Sequence, residues 1–529
     1  MTVRAPARSR GTNGFLRVWQ VSSEVGRFKS TGGMADAVHG LGQGLAKNGH
    51  QVGILTPSHS GSLNYCLRDN LALVHFAKLR VPLGNRVETA EVFLARLPVD
   101  HGEKARISVY LIDSENGLMF SNRTRIYGYN DDAARFLFFN RAVLELYKAL
   151  AFDPRFQRQR SRLLPQLIHT HDWPTGFTHY FFRHTERGIP VGLVHNIHNL
   201  GYGKEKGMTP HEFYELTGET NPWAYSPDGF EFFGKMDPTK AAILLSDKTA
   251  TVSPSYAQEI LEGRTPPPAS DYAGILQTRR DDIVGILNGL PDDFGPQKFA
   301  ERESGVKLRA AYTPENLEGK RACRSQLQEH LGLQHDDNAL LLAFSGRWAT
   351  QKGIDVILDY VPALMNMPVQ LAFIGSGDPG MFARVMALNE AFPGRARAIG
   401  FETGFDENLE ALFLAGADAV LMPSRFEPCG LVQMKGQKSG TLPIVTDTGG
   451  LRDTVIDGET GFIIPEVTAE AIDAGINRAL LIFQQDQARW QEMMRQAMRK
   501  DYSWSSAART YVDQAYKIAV ARVAHTFSA

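Results

Sequence analysis

Repeated alternation of short, β-branched strands with amphipathic helices limits the folds open to this chain more than any other feature. Parallel strands cannot be joined by tight turns, so this rhythm requires crossover helices on a parallel sheet, an α/β architecture. The first such unit is easily traced. Leu16 to Ser22 is a predicted strand, a Gly32-Gly33 turn follows, and a helix over about Met34 to Lys47 presents Met34, Val38, Leu41 and Leu45 on one face. Gly49 stands where a left-handed cap costs least, and Gln51 to Leu55 is the next strand. Glycines thus fall at the crevice end of a βαβ unit, where open parallel sheets bind ligands.

A second series starts near residue 339 with LLLAFSGR, then a helix from about Gly353 and the strand LAFIG at 371–375, with further alternation to about residue 465. Between the two series lies a polar, proline-containing stretch from Pro291 to about Glu315. The expected organisation is a tail over 1–14, an N-terminal domain over 15–290, a linker over 291–334, a C-terminal domain over 335–504 and a last helix over 505–529 that packs on either domain.

The most informative segment for function is Pro423 to Val455. It places Glu427 beside a Cys429-Gly430 turn and, about twenty residues on, a Gly449-Gly450 turn that opens a helix. Backbone N–H groups freed at such turns are anion sites, and a diphosphate held beside one buried carboxylate points to a sugar nucleotide. Two ordinary strand-to-helix turns would read the same way. In GRWATQKG, Arg347 and Lys352 follow a strand and flank a helix start, five residues apart, so both can reach a phosphate at that helix end.

Other chemistry is weakly signalled. Gly375, Gly377 and Gly380 spell GxGxxG with Glu402 about twenty residues on, but the motif opens the middle of a domain, not its first βα turn. His169, His171, His179, His184, His195 and His198 cluster within thirty residues. With no HExxH and no cysteine pair beside them, they read as structural or substrate-contacting histidines before a zinc site. Asp-x-Asp, the metal clamp of one large glycosyltransferase class, is absent from the sequence. Diphosphate charge then falls to Arg, Lys and backbone amides.

Composition narrows the partners. The 57 basic and 58 acidic residues leave a net charge of −1, which gives no support for nucleic-acid or membrane-surface binding. Cys66, Cys323 and Cys429 lie far apart and form neither metal-ligand spacing nor a disulfide framework, which suits a reducing cytoplasm. No apolar run approaches the ~18 residues of a membrane span, and the first fourteen residues carry arginines without an apolar core, so they read as a tail and not as a secretory signal.

Eight segments in order, SSEVGRFKSTGGMADAV, HTHDWPTG, HNLGYG, TVSPSYAQEI, GILNGL, GRWATQKG, PSRFEPCGL and TGGLRDTV, give a chain that resembles bacterial glycogen synthases and plant starch synthases from about Val18 to Arg509. The resemblance implies a GT-B fold, two Rossmann-like domains with parallel sheets facing a central cleft. It also implies retaining transfer of glucose from ADP-glucose, less often UDP-glucose, to an α-1,4-glucan, with no metal or other cofactor. By position, Glu427 matches the family's glutamate at the donor sugar, His198 the histidine that reaches the glucose, and Asp172 and Asn199 polar residues of the sugar pocket. Asn288 matches the asparagine of the donor-site LNG turn, and Arg347 and Lys352 the phosphate-binding pair. Phe405 falls where a tyrosine often packs near the adenine. Lys29, Ser30, Gly32, Gly33, Asp36, Cys429, Gly430, Leu431, Gly449 and Gly450 complete the implied donor-binding set.

Departures from the family pattern bear on substrate identity. The family's Lys-x-Gly-Gly loop has Ser30 at its lysine position, with Lys29 one residue earlier. Val432 replaces a threonine, Lys435 and Ser439 replace tyrosines, Gly203-Lys204 replace a glutamine and glycine, and Asp237-Pro-Thr-Lys240 replaces NFLK. Three readings follow: an α-glucan synthase using ADP-glucose, a glycosyltransferase of the same mechanism with another donor or a small acceptor, and a weakly active glucan-binding regulatory homologue.

Overall fold

Helices cover the sheet of the first series on either side, so its central strands are buried whatever their residue types. β6 (Leu167–His171), β7 (Gly192–Ile197) and β10 (Lys248–Thr251) are buried at every residue. With β1 (Arg17–Val21), β2 (Gln51–Pro57), β3 (Leu73–Leu83), β4 (Arg86–Pro98), β5 (Arg106–Ser114) and β11 (Ile283–Gly285) they form a nine-stranded sheet in the order β11-β10-β7-β6-β1-β2-β5-β4-β3. Every pairing is parallel except β3 with β4 and β4 with β5. A small hairpin of β8 (Glu231–Phe232) and β9 (Lys235–Met236) stands apart from the sheet.

The second sheet is wholly parallel. Its strands are β12 (Leu340–Trp348), β13 (Val369–Gly377), β14 (Ala396–Gly400), β15 (Ala419–Met422), β16 (Leu442–Thr446) and β17 (Phe462–Ile464), in the order β14-β13-β12-β15-β16-β17. This computed structural model describes residues 14–99, 106–185, 189–202, 206–303, 305–401 and 406–526. The chain divides into one unit of Met1–Gly289 with Ser503–Ala529 and another of Leu290–Tyr502.

Residues 291–334, read from the sequence as a linker, carry helices Pro296–Ala300 and Glu318–Leu331 and belong to the second unit. Cys323, Leu327 and Leu331 pack in one core with Leu412 and Phe413. Arg324 holds the helix to the sheet, meeting the Asp418 carboxylate at 3.0 Å and the Ala339 carbonyl at 2.6 Å. Helix Glu318–Leu331, which follows the polar stretch, is amphipathic, with this apolar face buried and a polar face in solvent.

The last helices, Trp504–Tyr511 and Lys517–Thr526 with a π-helical turn Val512–Tyr516 between them, pack on the first unit. Trp504, Ala508, Tyr511 and Tyr516 share a core with Val18, Val38 and Leu41. Helix Gly33–Lys47 admits them by lacking side chains at the contact: a Cβ on Gly40 would lie 1.9 Å from the Trp504 ring, and one on Gly44 2.2 Å from the Trp504 carbonyl. Asn48 closes the seam through a 2.9 Å bond to the Ser505 carbonyl.

Among the described residues no helix is long and apolar enough to cross a membrane. Cys66, Cys323 and Cys429 are buried, with no disulfide among the described residues.

Candidate active site

In an open parallel sheet the loops beyond the strand carboxyl ends part where the strand order reverses, and ligands bind in the crevice so formed. Each unit has one such point. β1 lies between β2 and β6, and β12 between β13 and β15. The sequence motifs leave these strands: Lys29 to Gly33 follows β1, Asp172 ends β6, Arg347 and Lys352 close β12, and Glu427 follows β15.

In the second unit these residues are joined. Lys352 Nζ donates to Glu427 Oε2 in a short ion pair, with the Glu427 side chain only 8 % exposed, and Ser424 Oγ donates to the same oxygen at 3.2 Å. Gln351 ties the two loops: its carbonyl accepts from the Arg425 N–H at 2.9 Å, its amide donates to the Phe426 carbonyl at 2.9 Å, and its Oε1 accepts from Arg347 at 2.9 Å. Arg425 adds a two-pronged pair with Asp355 at 2.9 and 2.8 Å. Arg347 itself is exposed. The site therefore presents one buried carboxylate with a cation beside it and a second cation in solvent, an arrangement suited to an anion next to a developing positive centre.

The glycine turns act differently from the sequence expectation. The Gly450 N–H is committed, donating to the Glu427 carbonyl at 3.0 Å, so it serves the carboxylate's backbone and not an anion. A Cβ at Gly450 would sit 2.1 Å from the Cys429 carbonyl, so this contact requires glycine. Gln433 holds the Cys429 and Gly430 carbonyls at 3.0 Å each, fixing the turn that runs on through Leu431 into helix Val432–Lys438. Gly449 opens helix Gly449–Thr454 at φ +42°.

In the first unit Asp172 is the pivot. Its φ of 53° and ψ of −177° lie in a region essentially reserved for glycine, at a cost of order 1–3 kcal/mol. The strain turns its carboxylate onto the His198 N–H at 2.7 Å and the Asn199 N–H. Desolvation, with Glu24 nearby, pushes the Asp172 carboxyl up to about 7. Asn199 Oδ1 in turn accepts from the Gly201 N–H at 2.8 Å. Burial lowers His198 to about 3, so its ring is neutral. Asn288 lies beyond β11, the edge strand of its sheet, and is buried.

The loop after β1 is shaped by Glu24, which the motif reading passed over. Its buried carboxylate accepts from the Thr31 N–H at 2.5 Å, from the Thr31 hydroxyl, and from Tyr127 Oη at 3.0 Å. Tyr127 also meets Ser23 at 2.7 Å. The one-residue shift has a visible result: Ser30 is exposed with its hydroxyl on the Gly32 carbonyl at 3.3 Å, while half-buried Lys29 reaches the Ser60 carbonyl at 3.5 Å. Gly33 begins its helix and Asp36 stands exposed in the first turn. Gly32 is extended, and a Cβ there would meet nothing within 4 Å. The fold does not require this glycine, so Gly32→Ala is expected to leave the melting temperature unchanged and to raise the KM for the donor severalfold, as steady-state kinetics would show.

Several other sequence signals have structural explanations. The GxGxxG glycines accommodate neighbours: a Cβ at Gly375 would lie 1.9 Å from the Gly346 carbonyl and one at Gly377 2.5 Å from that of Trp348. Asp378 caps the following helix onto the Gly380 and Met381 amides at 3.0 Å. The histidines bond within the protein: His179 and His195 to the Thr170 hydroxyl, His169 to Tyr516, and His171 to His198. Among the departures, Lys435 pairs with buried Glu410 at 2.7 Å, the Ser439 carbonyl accepts from Tyr312 at 2.7 Å and Lys320 at 3.2 Å, and Lys240 donates to the Pro227 and Glu231 carbonyls. Asp237 caps the Lys240 N–H at 2.7 Å. Lys435, Lys240 and Asp237 are thus partnered inside their own units, whereas the buried Ser439 hydroxyl finds no partner among the described residues. Phe405, Glu402 and Gly203-Lys204 lie outside the described residues.

Two switch-point crevices, one with a carboxylate and paired cation and the other with a strained aspartate and neutral histidine, define a GT-B-type glycosyltransferase. The starch synthase catalytic domain model matches residues 17–274 and the glycosyl transferases group 1 model residues 326–497. The chain is 34 % identical to the glycogen synthase of Anaeromyxobacter dehalogenans and 32 % to that of Syntrophotalea carbinolica, over 94 % of this chain and 98 % of each relative. The catalytic domain of starch synthase IV from Arabidopsis thaliana, solved with ADP and acarbose bound, superposes with a TM-score of 0.80 at 26 % identity, covering 96 % of this chain and all of that one. A sucrose-phosphate synthase from Thermosynechococcus elongatus, 18 % identical with a TM-score of 0.54 over 96 % of this chain and all of its own, shares the fold. The chain belongs to the glycogen synthase and starch synthase family. It is a glucan-synthesising glucosyltransferase that uses a nucleotide-sugar donor.

Asp172 gives a pH prediction. Its folded pKa of about 7 lies above the ordinary carboxylate value, so its contribution to stability is full below pH ~4 and lost as pH rises through 7. Asp172→Asn removes that loss. Its stability relative to the parent, measured by denaturant unfolding, is expected to rise between pH 5 and pH 8, and its kcat/KM profile to lack an ionisation near 7.

Proposed function

We propose that the enzyme transfers glucose from ADP-glucose to the non-reducing end of an α-1,4-glucan, with retention of configuration, in the cytoplasm. The observation that carries this reading is the Lys352–Glu427 pair: a cation able to exchange its carboxylate for a diphosphate, beside a carboxylate able to face the anomeric centre. The starch synthase neighbour carries ADP and acarbose, which supports an adenine nucleotide and a glucan-like acceptor. Three buried cysteines that form no disulfide among the described residues suit a reducing compartment.

Cleavage of the glucosyl bond passes through an oxocarbenium-like state, which needs a stabilised departing diphosphate and a stabilised positive sugar. Arg347 and Lys352 neutralise the leaving group, with Lys29 and the Gly32-Gly33 turn lining its path. Glu427 stabilises the sugar cation. Asp172, His198 and Asn199 hold glucose hydroxyls. Asn288, Asp36 and Phe405 contact the rest of the donor, and the Cys429-Gly430-Leu431 and Gly449-Gly450 turns shape the pocket around it. The acceptor hydroxyl attacks the anomeric carbon on the face the diphosphate leaves, and the departing phosphate oxygen takes its proton. One C–O bond forms and one breaks with no covalent enzyme intermediate.

The test is incubation with ADP-glucose or UDP-glucose, each with glycogen and without acceptor, following nucleotide release and chain length. Lengthened chains and ADP release are expected. Lengthening with UDP-glucose alone would overturn the donor assignment, and a short discrete product would overturn the acceptor.

A further inference from the structure

The C-terminal segment supplies a hydroxyl group to the network behind His198. Tyr511 Oη donates to Asn196 Oδ1 at 2.9 Å, and both residues are buried. That orientation leaves Asn196 Nδ2 facing His198 Nε2 at 3.0 Å. An amide N–H₂ can only donate, so Nε2 must be the bare nitrogen of a neutral ring, with the proton on Nδ1. His171 Nδ1 lies 3.0 Å from the same Nε2 and must likewise donate. The partnerless, buried Nε2 of His171 is then a bare acceptor. The reverse arrangement, with Asn196 flipped and His198 protonated on Nε2, would place a proton on His171 Nε2 and bury that N–H without an acceptor, a rare and costly state.

We propose that Asn196 and Tyr511 are positioning residues that fix the His198 tautomer, so that its ring offers Nδ1–H as hydrogen-bond donor to the substrate. The inference rests on the reading of His198 as a sugar contact. It gives the terminal helices a share in the reaction besides packing: the side chain that orients the amide comes from 315 residues further along the chain. Asn196 stands on β7, which is buried along its whole length.

The test compares Tyr511→Phe, Asn196→Asp and His198→Ala in the full-length enzyme. Tyr511→Phe keeps the ring and its packing but frees the amide to flip. A fall of about tenfold in kcat, the equivalent of one misplaced hydrogen bond, is expected with donor KM nearly unchanged and the melting temperature lowered by a few degrees. Asn196→Asp puts an acceptor opposite Nε2 and should invert the tautomer. Nitrogen-15 spectra of histidine-labelled protein, with His198 assigned by the His198→Ala variant, are expected to show a bare Nε2 in the parent and a protonated Nε2 in Asn196→Asp. A protonated Nε2 in the parent, or unchanged kcat in both positioning variants while His198→Ala loses turnover, would overturn the proposal alone. Unchanged turnover in His198→Ala would overturn the sugar-contact reading beneath it.

Discussion

Glu427→Gln is expected to lose turnover by a factor on the order of 10³, the scale for removing a group that stabilises transition-state charge, while ADP binding persists. The substitution is isosteric. The Gly450 N–H bonds the backbone carbonyl of residue 427 and so is untouched, and Ser424 still finds an oxygen at the side chain. What changes is Lys352, which loses its carboxylate partner and becomes free for the diphosphate. ADP affinity, read by calorimetry, is therefore expected to equal or exceed that of the parent. Retained turnover with intact folding would refute the role of Glu427, and lost ADP binding would show that the pair is a structural clasp.

Trp504→Ala carries the second large effect, in stability. Trp504 is 6 % exposed; its indole fills the space left open by Gly40, while Gly44 and Gly289 lie close against its backbone. Removing a buried tryptophan leaves a cavity that surrounding helices cannot close, at about 3–5 kcal/mol. The loss should fall on the first unit: in scanning calorimetry one transition moves down while that of the second unit stays. Deleting residues 504–529 should go further and leave the first unit unable to fold, because Ala508, Tyr511, Val512, Ala515, Tyr516 and Ala519 leave the core with the indole. Coincident shifts of both transitions would contradict this assignment.

The sequence allowed some of this to be read and not the rest, for physical reasons. Lys352 and Glu427 were legible because parallel-sheet topology puts loops after β12 and β15 side by side, and short motifs survive in each loop. Glu24 was not: its partners include Tyr127, 103 residues away, and a buried carboxylate's acceptors leave no periodic trace. The tyrosine replacements at Lys435 and Ser439 suggested altered pockets; Lys435 finds its partner in Glu410, a pairing no local pattern reveals, while the buried Ser439 hydroxyl finds none among the described residues. The sequence showed a last helical segment but left open which domain it covers. Ruling out the anion role expected of the Gly450 amide required knowing that the Glu427 carbonyl accepts from it at 3.0 Å.

Because the chain leaves the first unit at Gly289 and re-enters it at Ser503, that unit cannot be finished in the order in which it is made. A ribosome that has completed β11 must still add all of residues 290–502 before Trp504 appears. At 5–20 residues per second the groove on helix Gly33–Lys47 then waits roughly 10–40 seconds, its Gly40 and Gly44 bare to water and to other nascent chains. The second unit has all its own strands in one continuous stretch and has no such wait. The later half of the polypeptide is thus able to fold first, and the final two dozen residues act as the bolt that commits the earlier half.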